Sequence, residues 1–322
     1  MAAANNIFVY IGGDQVVPDE ITHAIIDPSV NIVRRQAFAN RRQLVSVIFH
    51  DGVEIVEDEA FQNCRSLPRI KLTGVKEIGY GAFLDCFNLS NVALGDKLET
   101  IGVQAFCGCS LMNIKLQSIR TVKELAFGHC RKLTEAEFGI DLERIGFNTF
   151  YNCPKLQRIA IPLKSNLFVH EPIQNRYMQF DECTNLTTVD IVGAEAIHKT
   201  ISSLLLKSWR DEMNDEIDRI NRQLPRTHPY NKADAIRQWI RSVINRMDDY
   251  KAEHNKLLKE HMVNLELAVW KAKLDERDDD STQKVQATKR AKIDEESSRK
   301  EKRITSGADI IIKNVLPFLK LG

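Results

Sequence analysis

The 322-residue sequence lacks the features that mark several large classes of protein. It has no apolar run of about 18 residues, which a membrane-spanning helix needs. Its first ten residues lack the basic flank and long apolar segment of a secretory signal. Its seven cysteines are an odd number, which argues against a disulfide scaffold and favours reduced thiols. We therefore expect a cytoplasmic or nuclear protein with no membrane contact.

A strong charge of either sign is also missing. The chain has 45 basic and 44 acidic side chains, for a formal net charge of +1. Capture of nucleic acid by the field of the whole chain needs a large basic excess, so nucleic acid is an unlikely partner.

The first half of the chain is instead filled by a repeat. Phenylalanine, usually preceded by alanine, recurs at intervals of 21 to 23 residues, with a looser seventh copy after a longer interval. A Val/Leu-x-x-Ile-Gly element precedes it, as in Val75–Gly79, and Cys-x-x-Leu-x-x-Ile-x-Leu follows, as in Cys64–Leu72. The aromatic positions are Phe38, Phe61, Phe83, Phe106, Phe127, Phe150 and Phe180. A fixed period of this kind is typical of a solenoid.

The alternation within each repeat predicts its conformation. Ile70 and Leu72 should point into the protein, whereas Arg69 and Lys71 should point out, as on a β-strand. Stacking such strands about 4.8 Å apart gives a parallel sheet over a continuous core. We expect the phenylalanines to form an internal column and the glycines after the Val/Leu-x-x-Ile element to take a positive φ.

These motifs resemble those of the BspA-like leucine-rich repeat family over about residues 27–193. The resemblance implies a curved solenoid with its parallel sheet on the concave side, and members that act mainly as protein-binding surfaces. Some members are surface adhesins, and a role of that kind remains a less favoured alternative for this chain. Arg41 replaces the repeat cysteine in the first copy, which indicates that this copy and residues 5–27 form a polar amino-terminal cap.

Cysteine and histidine do not point to chemistry. Six cysteines stand three residues after the repeat aromatic, a regular position that predicts core packing, and the off-register Cys107 is expected to be exposed. Solenoid neighbours near 4.8 Å apart do not converge tetrahedrally on zinc. No C-x-x-C pair, GxGxxG or Walker pattern occurs, and nothing marks a base or an oxyanion hole. We expect no enzyme activity, no cofactor and no metal site.

The second half of the chain changes to helical periodicity. Two amphipathic stripes, from Ile197 to Leu224 and from Ile236 to Ala272, flank a proline-containing loop, so we expect an antiparallel hairpin. Pairing about the loop places Met213 near Val243 and Trp209 near Met247. The longer second helix would then bring Leu265, Val269 and Trp270 onto the open end of the solenoid. The alternative is that helices 194–275 pair with another chain.

A charged tail follows the hairpin. Its two basic clusters resemble a bipartite nuclear-import signal, although acidic neighbours dilute their charge. The residues concerned are Lys289, Arg290, Lys292, Arg299, Lys300, Lys302 and Arg303.

Together these observations predict an α+β fold: a solenoid of about seven repeats, an all-α hairpin and a charged tail. We divide the chain into a cap segment (1–27), the leucine-rich repeat solenoid (28–193), the helical hairpin (194–275) and a partly disordered tail with a short apolar end (276–322). The expected function is a non-enzymatic scaffold or adaptor that binds another protein, of unknown identity, on the concave sheet; a nuclear regulatory protein is the alternative. The predicted contact residues are Arg69, Lys71, Asn91, Asn113, Lys115, Glu135, Glu137 and Arg158.

Overall fold

The computed structural model describes residues 6–170, 176–193 and 206–286. The chain divides into two units, residues 1–255 and 256–322. Two kinds of strand alternate along the first unit. The longer ones are β1 (Ile7–Tyr10), β2 (His23–Ile26), β4 (Ser46–Ile48), β6 (Arg69–Leu72), β8 (Asn91–Leu94), β10 (Asn113–Leu116), β12 (Glu135–Phe138), β14 (Arg158–Pro162) and β15 (Thr188–Val192). The two-residue ones are β3 (Ile32–Val33), β5 (Ile55–Val56), β7 (Glu77–Ile78), β9 (Thr100–Ile101), β11 (Thr121–Val122) and β13 (Arg144–Ile145).

Every pairing among these strands is parallel. The short strands form one six-stranded sheet in the order β13-β11-β9-β7-β5-β3. The long strands form three hydrogen-bonded groups, β1-β2-β4, β6-β8 and β10-β12-β14-β15. Ile70 and Leu72 are buried while Arg69 and Lys71 are exposed, which confirms the predicted alternation. The chain is thus a parallel β-solenoid of about six turns followed by two helices.

The repeat phenylalanines form the predicted internal column. All seven rings are fully buried. Consecutive rings stack with centroids 4.9 to 5.7 Å apart and planes within 11° of parallel. Offset stacking adds about 0.5–1.5 kcal/mol per pair to the free energy of burial, so the column is a main source of stability.

The repeat thiols occupy the core as predicted and also make a regular hydrogen bond. Each Sγ–H donates to the carbonyl oxygen of the phenylalanine one repeat earlier, as from Cys64 to Phe38 and from Cys130 to Phe106, at 3.0 to 3.2 Å. Most of these carbonyls also accept a backbone N–H, as that of Phe61 does from Cys64, so the thiol adds a second hydrogen bond to the turn. The expectation for Cys107 is wrong, because this side chain is only 8% exposed.

The prediction for the repeat glycines is also wrong. Positive φ occurs instead on either side of the Ala-Phe pair, for example at Glu59 (56°) and Asn63 (63°). Gly102 has no positive φ and serves close packing, because a Cβ there would lie 2.5 Å from the carbonyl carbon of Gly79 in the preceding turn. Asparagine tolerates the left-handed region better than most side chains, which explains its use at position 63, two residues after the repeat phenylalanine.

At the amino end, strands and an aromatic ring continue the array. Tyr10 packs on Phe38 with centroids 5.2 Å apart, tilted by 59°. Arg41, in the position of the repeat cysteine, donates from Nε to the carbonyl oxygen of Val17 at 3.0 Å and from Nη1 to that of Ala39 at 2.6 Å. The guanidinium therefore binds the entering segment to the first turn.

At the carboxyl end, two helices cover the array. They are α1 (Leu206–Gln223) and α2 (Lys232–Gln286), joined through 3₁₀ turns at Leu224–Arg226 and Pro229–Asn231. One hydrophobic core includes both the solenoid and apolar side chains of α1 and of α2 up to Val243. Trp209 contacts the ring of Tyr250 at 5.4 Å, three positions beyond the predicted Met247, and Trp239 donates from Nε1 to the carbonyl oxygen of Glu216 at 3.0 Å.

The predicted contact of the later part of α2 with the array stays a prediction, because these residues belong to the second unit. Leu265, Val269 and Trp270 are 42, 45 and 64% exposed. The residues that cover the array belong to α1 and to the amino-terminal third of α2. In the second unit, α2 continues as uninterrupted helix to Gln286.

Candidate interaction surface

The outward side chains of the long strands form one surface, called here the long-strand face. The parallel register aligns them in two columns, so that Arg69 lies beside Asn91 and Lys71 beside Ala93. Asn113 then lies beside Glu135, Lys115 beside Glu137, and Glu135 beside Arg158. All eight predicted contact residues therefore lie on this face. Glu137 and Arg158 are half-buried and the other six are exposed.

Ion pairs neutralise the carboxyl-terminal part of the long-strand face. Lys115 Nζ lies 3.8 Å from a carboxylate oxygen of Glu137, and Arg158 Nε lies 2.5 Å from one of Asp190. Half-exposed pairs of this kind contribute little free energy but leave less charge for a ligand. Ala160 occupies an outward-facing position, because it lies in register between Glu137 and Asp190. Its small side chain is nevertheless only 2% exposed.

The middle of the face keeps its positive charge. Arg69 and Lys71 are exposed on β6 and border an open depression of about 580 Å³ that also touches His23 and Ser46. Asp51 lies at the end of the preceding turn. Hydrogen bonding from Thr73, followed by the positive charge of Lys71, lowers the pKa of its carboxyl. The exposed charges of Arg69 and Lys71 favour negatively charged groups at this point.

The amino-terminal part of the long-strand face is apolar, a feature that sequence reasoning missed. Ile7, Val9 and Ile11 are 61, 47 and 62% exposed, and Ile48 is 58% exposed. The register places Val9 beside the half-buried Ile25, and Ile25 beside Ile48. Alternation of the larger rings Phe8 and Tyr10 with these residues could have revealed the pattern. The segment was instead assigned to a polar cap.

One side chain partly closes the outer edge of β1. Gln15 accepts from the backbone N–H of Ile11 at 2.8 Å and donates to the carbonyl oxygen of Val9 at 3.2 Å. An open edge strand is a template for pairing with another chain, and the amide of Gln15 occupies two of its backbone groups. The outward side chains of β1, rather than its edge, are thus the more accessible feature.

The thiols do not form a reactive site. Burial raises the pKa of Cys64 and Cys183 to about 12 and that of Cys107 to about 11, so the nucleophilic thiolate is scarce. In the part of the chain that the structure describes, no cluster of three or more His, Cys, Asp or Glu side chains could hold a metal ion. Over the same ranges, no helix has the length and hydropathy needed to cross a membrane.

The predicted import residues lie outside the described residues. All seven, between Lys289 and Arg303, follow the end of α2 at Gln286. Nuclear import and the cytoplasmic or nuclear location therefore stay predictions from the sequence.

Comparison with known proteins gives one family. The model of the BspA-type leucine-rich repeat region matches residues 18–118 and 101–204, with six copies of the repeat. No curated protein matches the chain.

Several solved structures are similar to the chain. A leucine-rich repeat protein of T. pallidum is 23% identical with a TM-score of 0.41, over 54% of this chain and 70% of that one. A leucine-rich repeat protein of Bacteroides ovatus is 24% identical with a TM-score of 0.38, over 52% of this chain and 55% of that one. The pneumococcal vaccine antigen PcpA is 17% identical with a TM-score of 0.32, over 57% and 65% of the two chains.

Proposed function

The chain belongs to the BspA-type leucine-rich repeat family, and from that premise we propose that it is a non-enzymatic scaffold that binds another protein on its long-strand face. Proteins with these repeats generally mediate protein interactions or adhesion. The proposal adds to this general role a particular surface, a particular order of chemical zones on it and a kind of partner.

The observation that carries the proposal is the order of zones across the face. An apolar zone around Ile7, Val9 and Ile48 adjoins a basic zone at Arg69 and Lys71. Exposed apolar side chains gathered in one place, and bordered by polar groups, are typical of a binding surface. Solubilising side chains alone would not require isoleucine at the most accessible positions.

These zones favour a partner with carboxylates beside apolar side chains. Apolar contacts would provide most of the affinity, whereas the positive charge of Arg69 and Lys71 would set orientation and speed association. The self-neutralised part of the face, with its Lys115–Glu137 and Arg158–Asp190 pairs, would contribute mainly shape. The predicted contact set is therefore refined toward the amino-terminal half of the solenoid.

The test compares two matched surfaces of the folded protein. A double variant, Ile48→Asp with Lys71→Glu, changes the long-strand face, and Lys123→Glu repeats the lysine-to-glutamate change at an exposed position after the short strand β11. Partners captured from cells by the unaltered chain would be quantified for each variant, after circular dichroism shows an unchanged fold. The partner should be lost with the double variant and kept with Lys123→Glu. Retention by the double variant, or equal loss in both, would refute the proposed face.

A further inference from the structure

The second unit has an exposed apolar stripe on α2. Between Lys256 and Lys273, α2 carries apolar side chains at steps of four and three residues. Met262, Leu265 and Val269 are 45, 42 and 45% exposed, and Leu258 is half-buried. This stripe, called here the 258–272 stripe, consists of Leu258, Met262, Leu265, Val269 and Ala272.

Its spacing is that of a coiled-coil seam. Steps of four and three place every member within about 40° of one line along the helix, at roughly 100° per residue. The apolar side chains of α1 and of the start of α2 are already packed against the solenoid within the first unit. The earlier prediction that helices 194–275 pair with another chain therefore narrows to this stripe.

We propose that the 258–272 stripe packs antiparallel against the same stripe of a second copy of this chain. A two-fold axis near residue 264 would place Leu258 against Val269 of the second copy, and Met262 against Leu265 of the second copy. Each layer would join a larger to a smaller or differently shaped apolar side chain, and the two-fold axis would make all of them twice. The four residues Leu258, Met262, Leu265 and Val269 are thus complementary to themselves in this orientation, while Ala272 lies opposite Asn255 at the edge of the contact.

The flanking charges favour the antiparallel orientation. Lys259 and Glu266 lie on the same flank of the stripe, seven residues apart, and both are exposed. Antiparallel pairing sets Lys259 of each copy beside Glu266 of the other, giving two ion pairs per dimer. Parallel pairing would set Glu266 beside His261 and Lys273 beside Ala268. In that orientation Glu266 would meet no lysine and Lys273 would meet no carboxylate. Flanking charges of this kind select orientation more than they add affinity.

The helix itself contains a matched control. Val263, Leu267 and Trp270 are 53, 56 and 64% exposed and lie on the opposite side of α2. Leu265 and Leu267 are therefore the same residue type on the same helix, two positions apart, with only one of them in the 258–272 stripe.

The first experiment measures the dimer dissociation constant of the full-length chain by sedimentation velocity over a wide concentration range. Leu265→Glu should weaken dimerisation at least about 100-fold, because each dimer would bury two charges and each 1.4 kcal/mol is tenfold. Leu267→Glu should change it less than about threefold. Helical circular dichroism should be equal in both variants, since both leucines are exposed in the single chain.

The second experiment tests orientation by exchanging the flanking charges. Lys259→Glu and Glu266→Lys should each weaken the dimer several-fold, and the two together in one chain should restore it. Failure of the combined variant to recover would overturn the antiparallel orientation. A chain that stays monomeric at all concentrations would overturn the proposal. Loss with Leu267→Glu alone would also overturn it, in favour of the opposite side.

Discussion

The two ends of the solenoid are closed by different means. At the amino end, β1 and β2 extend the sheet and Tyr10 extends the ring column, so the array ends in more of the same structure. At the carboxyl end the chain changes to helices, and α1 lies beside the last strand, where Asn221 accepts from the backbone N–H of Val189 at 2.8 Å. At the carboxyl end, helices therefore take the place where another repeat could otherwise stack.

A buried cation completes the carboxyl end. Lys232, 1% exposed, donates from Nζ to the carbonyl oxygens of Cys183, Thr184 and Leu186 at 2.7 to 3.1 Å. Burial lowers the pKa of its ammonium, and the described residues offer it no acidic partner. The ammonium therefore serves backbone carbonyls of the last turn, which no further repeat follows. Arg41 also donates to backbone carbonyls, at the amino end, but its side chain is only half-buried.

The largest effect should come from removing the carboxyl-terminal cover. A chain ending at residue 231 lacks Lys232 and all of α2, so apolar side chains of the last turns would face water. We expect it to aggregate or to lose its near-ultraviolet circular dichroism while binding a hydrophobic dye.

The matched truncation removes residues 1–11 and with them β1. Because the amino end is closed by more of the same structure, the shortened array should still unfold cooperatively, at a lower temperature. A monomeric 1–231 chain with a sharp unfolding transition would contradict the difference between the two ends.

Replacing Trp239 tests the helical cover without shortening the chain. This indole is 3% exposed within the shared core, so Trp239→Ala should lower the free energy of unfolding by about 3–5 kcal/mol. Trp270 lies on the same helix but is 64% exposed, and Trp270→Ala should change that free energy by less than about 0.5 kcal/mol. Urea unfolding of both variants gives the comparison. Equal effects would show that the start of α2 is not part of the core.

Removing the cation at the carboxyl end, Lys232, should lower the free energy of unfolding more than removing the one at the amino end, Arg41. Lys232→Met leaves the carbonyls of Thr184 and Leu186 without this donor, and that of Cys183 with only the N–H of Leu186, and should cost about 2–3 kcal/mol in unfolding free energy. Arg41→Met should cost about 1 kcal/mol, because water can reach the carbonyls that its half-buried guanidinium serves. Chemical denaturation at neutral pH measures both. A larger loss of unfolding free energy for Arg41→Met would show that the amino end, and not the carboxyl end, depends more on its cation.

The sequence was sufficient to predict the array, because its rules are local and repeated. Each turn must bury a ring such as Phe106 and alternate its strand residues, and both requirements appear as fixed spacing. The ends could not be predicted as well, since each occurs once and gives no period to read. Tyr10 stands outside the repeat spacing, so the sequence pattern does not predict it as an eighth ring, although it packs on Phe38.

The candidate site follows the same division. The register alone located the outward column from Arg69 to Arg158, since strand alternation fixes which side chains face water. It could not show that Lys115 and Arg158 are engaged by Glu137 and Asp190, because ion pairing depends on side-chain conformations. Nor could it show the apolar zone, whose members on β1 stand outside the repeat.

The smallest expected effect is a difference in pH response between the two ends. The position after the repeat phenylalanine is Ala39 in the first turn and Asp181 in the last, and Asp181 is 1% exposed. Burial raises the pKa of Asp181 to about 6, although the Arg176 guanidinium contacts its carboxylate. In the unfolded chain the pKa of an aspartate is about 3.9. Between these two values the folded state therefore holds a proton that the unfolded state has released.

Stability from this group must then fall as pH rises from about 4 to about 6, because the folded state binds more protons over that interval. Asp181→Asn keeps the shape without the charge. The unfolding free energy of the unaltered chain, minus that of this variant, should decrease through the interval and level off above it. The paired difference cancels the titration of groups that do not interact with Asp181, such as Asp51 and Glu54, whose lowered pKa values act in the opposite direction, whereas the neighbouring charges of Glu182 and His228 act through Asp181 itself. A difference that grows with pH would mean that attraction to Arg176 outweighs burial, and the last turn would then be held by its ion pair.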